Sequence, residues 1–159
     1  MTSFIRSWES KLRPYGFRPM KHPVIFIVDD DDGGSDVRKA AEKVAGTDLD
    51  MNAERYFPIR DNLYLVLTPP KANGEPTAIE DCFPQTVLNT KLDGKSFNMK
   101  KKHGDESTYG KQVFAEKIVV PGVNKIDFSG FEPLLQAVSK ALVHYRSKLA
   151  ANGQVKKSA

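Results

Sequence analysis

The chain has 159 residues, 40% of them hydrophobic and 28% charged, with a formal net charge of +4 and a pI near 9.1, the balance of one ordinary globular domain with a mild preference for polyanions. No apolar run approaches the roughly 18–20 residues of a membrane span, and the segment MTSFIRSWESKLRPYG has mixed charge and no apolar core, unlike a secretory signal. The single cysteine, Cys82, excludes an internal disulfide, and together these features point to the cytoplasm.

Residues 3–13 carry Phe4, Ile5, Trp8 and Leu12 at helical spacing, which predicts a short amphipathic helix stopped by Pro14 and Gly16. VIFIV, Val24 to Val28, is a β-branched run that predicts a strand buried on both faces in a parallel sheet. Gly33 and Gly34 predict a turn, with Ser35 or Asp36 capping a helix that ends at Gly46. NLYLVLTPP, from Asn62, predicts a second strand, and AIEDCFPQTVLNTKL one or two short helices broken at Pro84. DGKSFNMKKKHGDESTYGK, poor in apolar residues, predicts a mobile or functional excursion containing the basic run Lys100, Lys101, Lys102 and His103. KQVFAEKIVV predicts a helix with Val113, Phe114 and Ile118 on one side. FEPLLQAVSKALVHYRSKLAA predicts a long amphipathic helix bearing Phe131, Leu134, Leu135, Val138, Leu142, Tyr145 and Leu149, followed by a frayed tail. Strand, glycine turn, helix, strand, helices reads as an α/β domain, but one with few strands.

The segment HPVIFIVDDDDGGSD runs an apolar strand into four consecutive aspartates. In a strand, residues i and i+2 point the same way, so Asp29 and Asp31 are expected to project together from its carboxyl end, with Asp30 on the other side. Open α/β sheets bind ligands at that end. Paired carboxylates there form a hard-oxygen site suited to Mg²⁺ or Mn²⁺, able to polarise a phosphodiester. A polar turn in which Asp32 helps to cap the helix accounts for the same residues without a metal.

Glu80 and Asp81 form a second acidic pair, at the start of a short helix where the dipole favours negative charge. In a metal site they would approach from the next loop. Lys111 opens a helix and would contact phosphate or stabilise a leaving group. Cys82 reads as a small buried hydrophobe. His22, His103 and His144 are scattered, without zinc or triad spacing, and neither G-x-x-x-x-G-K-[ST] nor G-x-G-x-x-G occurs. A receiver-like or phosphatase-like pocket also suits VIFIVDDDDGG, but LYLVLTPP lacks the further aspartate such a pocket needs.

HPVIFIVDDDDGG, NLYLVLTPP, AIEDCF, LDGKSFN, YGKQVFAEKIV and IDFSGFEPLL occur in that order, across roughly residues 20–145. This series resembles the C-terminal toprim region of retron reverse transcriptases that carry a fused toprim nuclease domain. The resemblance implies metal-dependent phosphodiester chemistry on DNA or RNA. Asp29 and Asp31 then correspond to the toprim D-x-D that holds Mg²⁺, Glu80 and Asp81 to a following acidic pair, and Lys111 to a lysine before the FAEK helix. The Lys100–Lys102 loop would hold phosphates, with salt-sensitive affinity.

The chain departs from the family at its start: the first toprim strand and its glutamate are missing, and Glu9, in a helical pattern, is a poor substitute. The expected fold is thus a partial, Rossmann-like toprim sheet of few parallel strands, flanked by helices. It occupies residues 1–150, truncated on its N-terminal side, with 151–159 as a flexible tail. A truncated sheet exposes a strand edge, so a partner chain or a second copy is expected to complete it. The chain is then either a nuclease-type half-site, weak or inactive alone, or a non-catalytic module binding nucleic acid or protein.

Overall fold

The segment Leu63–Leu67, all five side chains of which are buried, is the central strand of a mixed α/β fold. It lies between two others, in the order β1-β3-β2: β1 (Val24–Val28) pairs with it in parallel and β2 (Tyr56–Arg60) antiparallel, so the central strand is β3. The computed structural model describes residues 1–16, 20–50, 55–71, 73–100 and 104–155, with side chains to residue 151. Contacts divide the chain into two units, Met1–Ala78 with Pro133–Ala159, and Ile79–Glu132.

In the first unit β3 alternates between two apolar faces. Leu63, Leu65 and Leu67 pack with Ile5 of α1 (Thr2–Arg6), Trp8 and Leu12 of α2 (Trp8–Leu12), and Val37 and Ala41 of α3 (Asp32–Ala45). On the opposite face Tyr64 packs with Ala141 and Tyr145 of the long C-terminal helix, with Ile25 of β1 and Tyr56 of β2 against them. That helix spans Glu132–Val155. Cover on both faces explains the unbroken apolar sequence of β3. The doubly buried role expected of β1 therefore belongs to β3. β1 is an edge strand, and its Ile27 is 44% exposed.

β2 was not expected from the sequence, and the sheet is accordingly mixed rather than parallel. Its Pro58 is tolerated because the odd-numbered residues of β3 face β2 and pair with Phe57, which turns the Pro58 nitrogen toward the free edge. α3 also begins earlier than the glycine turn implied: Asp31, in extended conformation, is its N-cap, and Gly33 and Gly34 lie in its first turn. Of the residues expected to line the C-terminal helix, Leu134 and Tyr145 are buried, but Leu135 and Leu142 are exposed, and Ala137 and Ala141 complete the buried stripe.

The second unit contains α4 (Gln85–Leu88), a two-stranded parallel ladder of β4 (Ser96–Phe97) and β5 (Thr108–Tyr109), then α5 (Lys111–Phe114), a π-helical turn Ala115–Val119 and α6 (Val120–Gly122). The C-terminal helix is α7. The segment read as an excursion thus contributes β4 and β5. The core of this unit is aromatic: Phe97 stacks on Phe114 at 4.3 Å, and Phe83 meets Phe114, Phe128 and Phe131 edge-on. Cys82 is buried, as expected.

Two predictions follow from packing. A Cβ on Gly34 would collide with the backbone carbonyl of Asp29, whereas one on Gly33 meets only the Asp31 carboxylate oxygen at 3.2 Å. Gly34→Ala is expected to cost roughly 1–3 kcal/mol or more, and Gly33→Ala less than about 1 kcal/mol, in urea denaturation. Tyr64 is fully buried; desolvation first, then the neighbouring Tyr145 and Tyr56, push its phenol up from 10.0 to about 12. Folding thereby holds the phenol neutral. The stability it contributes is complete below about pH 10 and is lost as pH rises through 12, so denaturation midpoints should fall across that window in the native chain and less in Tyr64→Phe.

Candidate functional site

The carboxyl end of β1 is where the sequence concentrates its charge, and the structure gives the aspartates separate tasks. β1 ends at Val28, so the alternation that would align Asp29 with Asp31 stops before it reaches them. Asp31 has left the strand: its Oδ1 accepts from the Gly34 amide at 2.8 Å, closing the first turn of α3. This corrects the expectation that Ser35 or Asp36 caps the helix. Asp32 follows in the first turn, where the helix dipole favours its charge.

Asp30, assigned no partner by the sequence, bonds to four residues of three separate segments. Its carboxylate binds the Arg38 guanidinium of α3 through Oδ1 and that of Arg55 through Oδ2, the latter at 2.6 Å. Its amide donates to Thr68 Oγ1 at 2.8 Å and its carbonyl accepts from Thr77 at 2.9 Å. The Thr68 and Thr77 hydroxyls, both buried, lie 2.8 Å apart, and Arg55 also donates to the Thr68 carbonyl. One residue thus gathers α3 and the residue before β2 through its carboxylate, and the residue after β3 through its amide. Nothing in the local pattern signals this: Arg55 is 25 positions from Asp30 and Thr68 is 38.

In the second unit Glu80 lies in the 3₁₀ turn Ile79–Cys82 and is 9% exposed. Its Oε2 accepts from Lys111 Nζ, at the start of α5, at 2.7 Å. Two residues selected from separate motifs are here brought together. Asp81 is half-buried in the same turn. Lys100 is exposed, its amide bound to Asn98 Oδ1, while Lys101 and Lys102 lie outside the described residues. Asp29 and Asp31 belong to the first unit, and Glu80, Asp81 and Lys111 to the second.

Among the described residues no group of three or more His, Cys, Asp and Glu side chains could hold a metal ion. Asp31 is turned onto an amide, and between Asp29 and Asp31 the carboxylate of Asp30 is met by two guanidinium groups. A second polar group that the sequence did not single out is Tyr64 with His144, whose hydroxyl and Nδ1 lie 2.8 Å apart at a groove bordered by Tyr56, Lys140 and Ser147. Their separation of 80 residues leaves no local signal.

No helix among the described residues is long and apolar enough to cross a membrane. No protein-family model matches the chain, and no solved structure matches it.

Removing the shared carboxylate should expose its structural role. Asp30→Ala leaves two neighbouring guanidinium groups without their common counter-ion, at an expected cost of about 2–3 kcal/mol given their partial exposure, against about 1 kcal/mol for the cap variant Asp31→Ala. Urea denaturation of both variants checks the order.

Proposed function

We propose that the chain is a non-catalytic, toprim-like assembly module that acts by joining its sheet to another polypeptide chain. The observation that carries this reading is the employment of the aspartates: Asp30 is bound by Arg38 and Arg55, and Asp31 caps α3, so this segment ties helix to sheet. The three-stranded sheet supports it too, because β1 lies at an edge and offers its outer side for pairing. In this reading the Glu80–Lys111 pair fixes the 3₁₀ turn to the start of α5.

A second reading keeps the chain as half of a metal-dependent nuclease acting on DNA or RNA. It is favoured by the meeting of Glu80 with Lys111, both singled out by the toprim resemblance. It requires a glutamate from outside residues 1–159, and the Lys100–Lys102 loop would then hold phosphates.

The two readings separate in a cleavage assay on labelled single- and double-stranded DNA and RNA with Mg²⁺ or Mn²⁺, run beside Asp29→Asn/Asp31→Asn. The assembly reading expects no metal-dependent cutting by either protein, no metal-induced rise in melting temperature, and a variant destabilised by less than about 1 kcal/mol, because asparagine caps a helix about as well as aspartate. Cutting by the native chain that disappears in the variant overturns it.

A further inference from the structure

The two free edges of the sheet are built differently. On β2, Pro58 removes an outward donor and a register shift between Pro58 and Arg60 distorts the strand. Both features discourage pairing. β1 has neither. Val24 donates to Asn62 and Val28 accepts from Thr68, so the even-numbered residues of β1 face β3 and Ile25 and Ile27 face outward. By the alternation of a parallel ladder, the N–H and C=O of Ile25 and Ile27 point away from β3.

An apolar surface continues from this edge onto α7. Ile25 packs on the α7 side of the sheet, and strand alternation puts Ile27, 44% exposed, on the same side. Around α7, His144 flanks the buried stripe and meets Tyr56 of β2 at 5.8 Å. With β3 in the middle, the opposite flank overhangs β1. That flank carries Leu135, 60% exposed, half-buried Val138, and Leu142, 37% exposed. Helical spacing of three and four places them in one row.

We propose that β1 and this flank of α7 form the interface of a symmetric homodimer, in which β1 pairs antiparallel with β1 of a second copy, centred on Phe26. The proposal rests on the assembly reading and names its partner. Charge selects both the occupant and the direction. β1 is preceded by exposed Lys21 and followed by Asp29, Asp31 and Asp32, Asp30 being bound within the chain by Arg38 and Arg55. Antiparallel pairing sets each basic flank beside the acidic flank of the other copy, whereas parallel pairing would set acid beside acid. In this register Ile25 and Ile27 of each copy exchange both backbone hydrogen bonds with Ile27 and Ile25 of the other. The two-fold axis stands perpendicular to the sheet, so both α7 helices lie on the same face and their apolar flanks approach each other.

Sedimentation equilibrium of the full chain tests this, with two variants chosen to leave the fold intact. Ile27→Pro removes a donor that faces outward, not into the β1–β3 ladder, and Leu135→Glu/Leu142→Glu charges only the exposed flank. The native chain is expected to be dimeric at micromolar concentration, with dissociation favoured by salt through loss of the flanking charge pairs. Each variant is expected to raise the dissociation constant about tenfold or more with unchanged circular dichroism. A monomeric native chain at high concentration overturns the dimer, as does a dimer insensitive to both variants. Those outcomes leave the assembly reading standing for a different strand, whereas metal-dependent cutting removes that reading.

Discussion

The first unit depends on the placement of one carboxylate between two guanidinium groups. Asp30 stands just beyond β1, Arg38 on α3 and Arg55 just before β2, so the ion pairs fix where the helix and the edge strand meet the end of the sheet. Partial burial gives the arrangement its weight, since ion pairs withdrawn from water are screened less and are costly to leave half-formed. It also explains how the chain tolerates four aspartates in a row. Their charge is divided: Asp30 is met by arginines, while Asp31 and Asp32 lie where helix amides are unpaired.

The architecture around this knot follows from the cover given to β3. With α1, α2 and α3 on one side and α7 on the other, the central strand is buried on both faces, and β1 and β2 take the edges. Close packing at the β1–α3 turn places the Asp29 carbonyl where only a glycine fits, at position 34. The same backbone that carries the charged residues therefore sets the helix against the sheet.

The second unit solves its packing problem differently. Its two ladder strands are only two residues each, too short to build a core by themselves. Rings from Phe83, Phe97, Phe114, Phe128 and Phe131 supply it instead, with Tyr109 donating to the Thr90 carbonyl. Glu80 and Lys111 add a charged link between the 3₁₀ turn and α5 beside that aromatic core.

Local pattern was enough to reveal β1, β3, α3 and the long C-terminal helix, because continuous apolar runs and a 3.6-residue period are properties of neighbouring residues. It was enough to mark the aspartates as unusual, and to note Glu80 and Lys111 near helix starts. It misplaced the cap of α3, since Gly33 and Gly34 suit a turn as well as a tightly packed helix start, and it missed β2, whose Pro58 is compatible with a strand only at an edge. It read Leu135 and Leu142 as core because periodicity reports that a helix has an apolar side but not how wide a partner it meets. The task of each carboxylate emerged only on folding: Arg38, Arg55, Thr68 and Thr77 converge on Asp30 through pairings distant in the chain, and no local spacing encodes a contact that strand order creates.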